Sequence, residues 1–190
     1  MQNTSNEELS SKKRALELFE TVKINDFEVG TTKGLQKIHH FLFQDVFDFA
    51  GKIRTVDLAK GNFRFAPAIY LKDTLKTIDN LPENTYDEII KKYVEMNAAH
   101  PFREGNGRAT RIWLDQILKK HLQKCIDWSK VEKDQYLSAM ERSPINDLEI
   151  KTLLENALTP DINSREVYMK GIQSSFNYED QSAYDVHSLV

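Results

Sequence analysis

Twelve consecutive residues, His100-Pro101-Phe102-Arg103-Glu104-Gly105-Asn106-Gly107-Arg108-Ala109-Thr110-Arg111, hold most of the chemistry in this sequence. His100 is the one group among them that accepts a proton near neutral pH. Glu104 offers a hard oxygen suited to a Mg2+ that keeps most of its waters. Gly105, Asn106 and Gly107 permit a bend with positive φ and leave their N–H groups unobstructed. Arg108 and Arg111 lie one helical turn apart, so both guanidinium groups can face one polyanion. A base, a metal carboxylate, an amide cradle and two arginines fit transfer of a phosphate-containing group to a hydroxyl. Other motifs fit less well. No strand precedes Gly105-x-Gly107 as a dinucleotide fingerprint requires, and no Walker-type loop exists. A zinc pair of His100 and Glu104 would need a helix that Pro101 and Gly105 oppose. A plain turn between helices, with surface arginines, stays open at this point.

The flanking elements must deliver that loop. Pro101 disfavours helix at His100, so an upstream helix ends there and another begins just after Gly107. The loop is then delivered onto a helix N-terminus, where free N–H groups and the dipole favour an anion. Helical periodicity recurs over 6–22, from Gly34 past Val46, and over 68–80, 86–98, 107–123, 133–142, 147–157 and 164–178. Between Gly51 and Pro67 the pattern changes. Lys60-Gly61-Asn62 supplies turn residues before the alternating Phe63-Arg64-Phe65, which predicts one small β-hairpin. The expected fold is all-α, seven to eight helices with that single hairpin. No linker is expected before about Thr159-Pro160-Asp161, and the tail after Asp180 is expected to fray.

The 190 residues carry 26 basic and 29 acidic side chains, a net charge of −3. That argues against binding nucleic acid or anionic lipid through bulk charge. No run approaches a membrane span and the N-terminus lacks a signal-peptide core, so a cytoplasmic protein is expected. Cys125, the one cysteine, excludes an internal disulfide and reads as buried packing. Trp113 and Trp128 read as core. His39-His40 reads as surface or half-buried, and Lys12-Lys13-Arg14 and Lys91-Lys92 as solvated helix faces.

The string from His100 to Arg111 resembles the H-P-F-x-[DE]-G-N-G-R-x-x-R signature of the Fic (Fido) domain family, with every fixed position filled. Phe49-Ala50-Gly51-Lys52-Ile53-Arg54 resembles the F-A-G-x-x-R stretch before that family's hairpin, and the resemblance spans roughly 25–160. It implies a Fic catalytic domain over 1–160, with a β-hairpin flap at about 60–66. The implied activity is that of a nucleotidyltransferase, a protein adenylyltransferase. With ATP and Mg2+ it would move AMP to a Ser, Thr or Tyr hydroxyl of a target protein and release pyrophosphate. The resemblance makes His100 the general base, Phe102 the loop's anchor in the core and Glu104 the metal ligand. It makes Gly105, Asn106 and Gly107 the cradle, with Asn106 on the α-phosphate, and Arg108 and Arg111 the phosphate arginines. Lys60, Asn97, Tyr136 and Met140 would line the nucleotide. Gly61, Asn62, Phe63, Arg64 and Phe65 would align the target by strand pairing. The alternatives are another nucleotide, removal of AMP, or a catalytically silent interaction module.

Many members carry an inhibitory helix with the pattern [ST]-x-x-x-E-[GN], C-terminal in the short single-domain class. Ser175 to Glu179 fits it, with Asp180 where Gly or Asn is usual, so 161–190 would form an inhibitory helix and tail. Thr4 to Glu8 fits as well, but the later copy lies on an amphipathic terminal helix. Glu179 would meet Arg111 in the slot that the γ-phosphate needs. Tyr178 and Tyr184 are then candidates for self-modification, and a homo-oligomer could bury this helix.

Overall fold

The computed structural model describes residues 2–190, with side chains from Ser5 onward. Among the described residues eight helices stand close to where the periodicity puts them: α1 (Gln2–Glu20), α2 (Thr32–Phe43), which ends short of the expected Val46, α3 (Ala68–Asp79), α4 (Tyr86–Ala99), α5 (Asn106–Leu122), α6 (Lys133–Arg142), α7 (Leu148–Glu155) and α8 (Arg165–Asn177). Local chemistry starts several of them. Thr31 and Ser164 cap α2 and α8, and Thr85 with Glu88 forms a capping box on α4. Each such cap stabilises its helix by about 1 kcal/mol. α5 is the axis of the fold: Trp113, Leu114, Ile117 and Leu118 are fully buried, and α2, α4 and α8 pack around it. Trp113, Trp128 and Cys125 are core residues, as expected.

The expected hairpin is two short antiparallel strands, β1 (Ala59–Lys60) and β2 (Phe63–Arg64), with Lys60 opposite Phe63. A second ladder departs from the one-hairpin expectation. β3 (Cys125–Ile126) pairs antiparallel with β4 (Leu158–Thr159), tying the end of α5 to the segment that enters α8. Two-residue strands carry no period for a sequence to display.

The tail does not fray. Val186 is fully buried, Tyr184 donates its N–H to Glu8 Oε1 at 3.0 Å, and the Tyr184 carbonyl accepts from Lys12 Nζ at 2.6 Å. Lys12 is correspondingly buried, not solvated, and pairs with Glu8 at 2.8 Å. Lys92 is likewise buried and pairs with Glu83 at 3.1 Å. Buried ammonium groups need such partners, because desolvation of an unpaired charge is costly. Among the described residues no helix is long and apolar enough to cross a membrane.

Candidate active site

The motif loop is pinned from below. Phe102 is fully buried and stacks on the His39 ring, with centroids 3.8 Å apart. His39 is buried too, which corrects the surface reading. Its Nδ1 accepts the Gly51 N–H at 2.9 Å and its Nε2 donates to the Glu104 carbonyl at 2.8 Å. One imidazole in one tautomer therefore ties the F-A-G-x-x-R stretch to the loop. Gly105, at φ 81°, has no room for a side chain, since a Cβ would lie 2.5 Å from the Phe43 ring.

Arg54 ties in the flap. Its guanidinium donates to the carbonyls of His100, Val56, Ala66 and Ala99 at 2.6–2.9 Å. The flap base and the end of α4 are thus one hydrogen-bonded unit, a role the sequence did not disclose. His100 closes α4 in the left-handed conformation, φ 50°. Phe65 leaves β2 and stacks on the His100 ring at 3.7 Å, so it covers that imidazole and is half-buried. Lys60, Gly61, Asn62 and Arg64 are exposed at the flap tip and Phe63 is half-buried.

Burial first, then the neighbouring Arg54 charge, lowers the His100 pKa to about 4, against Glu179 and Asn97, which raise it. His100 is therefore neutral at pH 7, the state a general base requires. Its Nδ1 is buried and has no hydrogen-bond partner among the described residues. His39 is also lowered to about 4, chiefly by burial. The unfolded chain takes up these protons near pH 6.5, whereas the native protein refuses them until about pH 4. Stability contributed by the two neutral rings is complete above pH 6.5 and is lost progressively as the pH falls. Each ring should cost about 2 kcal/mol at pH 5. Urea midpoints at pH 7 and pH 5 check this. His39→Gln, retaining one of the two rings, should show about half of the histidine-dependent loss; identical pH dependence in both proteins would refute the assignment.

At the N-terminus of α5 the amides of Asn106, Gly107 and Arg108 lack intrahelical acceptors. Asn106 Oδ1 accepts from the Phe102 N–H at 2.8 Å and its Nδ2 donates to the Phe102 carbonyl at 2.7 Å. The side chain expected on an α-phosphate is here engaged in shaping the loop, with one amide hydrogen left over. Arg111 is buried. Its Nε donates to Ser175 Oγ at 2.7 Å, and Nη2 to the Ser175 carbonyl at 2.8 Å and to Glu179 Oε1 at 3.2 Å. A Cβ on Gly107 would lie 2.5 Å from Glu179 Oε1, so the missing side chain is the slot this carboxylate fills. Burial pushes the Glu179 carboxyl up, but Arg111, Arg108 and Lys60 outweigh it and hold the group below its ordinary value. The early copy of the pattern behaves differently: Glu8 faces Lys12, away from the motif arginines, and the Thr4 side chain lies outside the described residues.

Asp180 has φ 60°. Gln181 N–H bonds the Phe176 carbonyl at 3.1 Å and Asp180 N–H the Asn177 carbonyl at 3.1 Å, a Schellman end with Asp in the left-handed position that favours Gly. Lys133 pairs with the exposed Asp180 carboxylate. Tyr136 is buried beside Arg111, its hydroxyl bonded to that of Tyr93, and Met140 is buried on the same helix. The Tyr178 hydroxyl donates to the Val131 carbonyl at 2.6 Å from a buried position, so it is not a modifiable group while the helix is seated. Tyr184 is half-buried, its hydroxyl bonded to Ser5 at 2.8 Å.

Residues 30–118, which include the whole motif, match the family model described as Fic/DOC family. This stretch is a Fic/DOC-family domain. The chain is similar to Protein adenylyltransferase VbhT of Bartonella schoenbuchensis, 32 % identical over 173 residues, covering 78 % of this chain and 35 % of that protein. It is 33 % identical over 125 residues to Probable protein adenylyltransferase Fic of Escherichia coli K12, covering 60 % of this chain and 62 % of that protein. The chain thus spans under two thirds of the length of either relative. Among solved structures, BepC of Bartonella tribocorum with bound AMPPNP superimposes with a TM-score of 0.67 at 21 % identity, covering 80 % of this chain and 84 % of that one. The FIC domain of Bep8 from Bartonella sp. 1-1C gives 0.69 at 18 % identity, covering 85 % and 87 %. At such identities the shared property is the Fic fold.

Proposed function

We propose that this Fic domain is a protein adenylyltransferase, moving AMP from ATP to a hydroxyl of a target protein and restrained by its own C-terminal helix. What supports this above all is the Glu179 carboxylate: an anion already rests at the α5 N-terminus, against Gly107 and Arg111. The names of the relatives point the same way.

In this reading the amides of α5, Arg108 and Arg111 hold the polyphosphate, and the hydroxyl oxygen attacks the α-phosphorus. His100 Nε2 takes the hydroxyl proton while the bond to the bridging oxygen breaks and pyrophosphate leaves. With Nδ1 buried, Nε2 is the nitrogen left to offer its lone pair to the hydroxyl. Glu104 suits a Mg2+, being one carboxylate on an exposed side chain at the mouth of the cradle. Among the described residues no three His, Cys, Asp or Glu side chains converge to hold an ion unaided, so the ion would take its other ligands from water and phosphate. Its chemistry there is neutralisation of charge on the phosphates. The exposed edge of the hairpin offers the target an extended backbone to pair with. ATP as co-substrate suits a cytoplasmic setting.

The test is label transfer to protein in a bacterial lysate, with α- and γ-labelled ATP run in parallel. Label from the α-phosphate alone is the expected result. Label from the γ-phosphate would make the domain a kinase, and label only from another α-labelled nucleotide would replace ATP.

A further inference from the structure

Arg108 has partners that the motif does not supply. Its side chain is almost fully buried between two aromatic rings, Phe43 at 4.7 Å and Phe176 at 5.4 Å from the guanidinium carbon. Nη1 donates to Glu7 Oε1 at 2.8 Å and to Gln181 Oε1 at 2.7 Å, and Gln181 Nε2 donates to the same Glu7 oxygen at 3.1 Å. Nη2 turns the other way, toward Glu104 at 3.4 Å. Nε has no partner among the described residues. One edge of the guanidinium is therefore held by the chain's two terminal segments, while the other faces the carboxylate at the mouth.

We propose that Glu7 is a positioning residue for Arg108, fixing Nη1 so that Nη2 is aimed at the bound polyphosphate. This rests on the reading of Arg108 as a phosphate-binding arginine. Both anchors are not equivalent. Gln181 is the residue whose N–H closes the end of α8, two positions after Glu179, so it leaves when that end is released. Glu7 belongs to α1 and stays. A guanidinium in an aromatic sandwich rotates about its own axis at little cost, and a carboxylate on one nitrogen removes that freedom. Preorganised in this way, Arg108 loses less entropy on meeting phosphate.

Isothermal titration with MgATP in a Glu179→Gly background decides the matter. Glu7→Ala should weaken binding about tenfold, equivalent to ~1.4 kcal/mol. Glu7→Gln, which keeps an acceptor for Nη1, should stay within about threefold of its parent, since a neutral acceptor retains the hydrogen bond and loses only its charge assistance. Glu8→Ala is the control: it breaks the buried Glu8–Lys12 pair in the same helix without touching Arg108. It should lower the melting temperature and leave nucleotide affinity unchanged. Unchanged or tighter binding by Glu7→Ala overturns the proposal, as does equal weakening by Glu8→Ala, which would make helix integrity the cause. AMP transfer is scored separately, so binding without transfer counts against the transferase reading while the affinities still decide the part played by Glu7.

Discussion

On the proposed reading, in which the Glu179 carboxylate competes with phosphate for Arg111, Glu179→Gly should raise the rate of AMP transfer about a hundredfold. A closed form favoured a hundred to one needs only about 2.8 kcal/mol. The contacts supply that scale: Glu179 Oε1 lies 3.2 Å from Nη2 of a buried arginine, and charge-assisted hydrogen bonds of this kind are the strong ones. The substitution should not unfold the domain. Arg111 keeps Ser175 Oγ and the Ser175 carbonyl at 2.7 and 2.8 Å, so its charge is not left without acceptors. Glu179 also precedes the left-handed residue at the helix end, where glycine does little harm. Glu179→Gln keeps the shape and loses the charge, and an intermediate rate is expected from it. Transfer by the purified variants at saturating target is the measurement, and an unchanged rate for Glu179→Gly would dispose of the brake.

The helices, the hairpin and the motif itself were legible because periodicity, turn residues and a twelve-residue signature are all local. The supports of the site were not, and the reasons differ from residue to residue. His39 stands four positions after Leu35 and three before Leu42, on the apolar stripe of α2, so its burial could have been read from spacing. Having His40 beside it made the pair look like surface. Arg54 was visible as a position in the F-A-G-x-x-R stretch, but that its guanidinium would answer four carbonyls depends on the flap folding back over α4. Lys12 and Glu8 sit on the buried face of α1 with Ser11 and Ala15. Charged residues on a core-facing stripe read as solvated unless their partners are known, and one partner is the Tyr184 carbonyl, 172 positions away. Glu7 meets Arg108 across 101 positions, with nothing local to announce it. Asp180 shows the opposite case: the sequence flagged a departure from Gly or Asn, and the left-handed backbone there explains why those residues are usual.

Removing His100, the proposed base, should have the larger effect. In the Glu179→Gly background, His100→Ala should lower transfer by about 10²–10⁴-fold, the contribution typical of a positioned general base. The apparent affinity for ATP should change little, since the α5 amides and the two arginines are untouched; a fall in kcat with a steady KM marks an interaction made only in the transition state. His100 also caps α4 at φ 50° and stacks on Phe65 at 3.7 Å, so alanine introduces backbone strain and loosens the flap. His100→Asn separates these effects, because Asn tolerates the left-handed conformation but cannot take the proton. Both variants should be equally inactive and differ only in thermal stability. Because burial and Arg54 hold the pKa of His100 at about 4, the histidine is already neutral across pH 6–8, and the wild-type rate should show no acid limb from it in that range. Transfer within tenfold of the parent in His100→Asn would remove His100 from the chemistry and leave the α5 cradle as a nucleotide-binding site without a base.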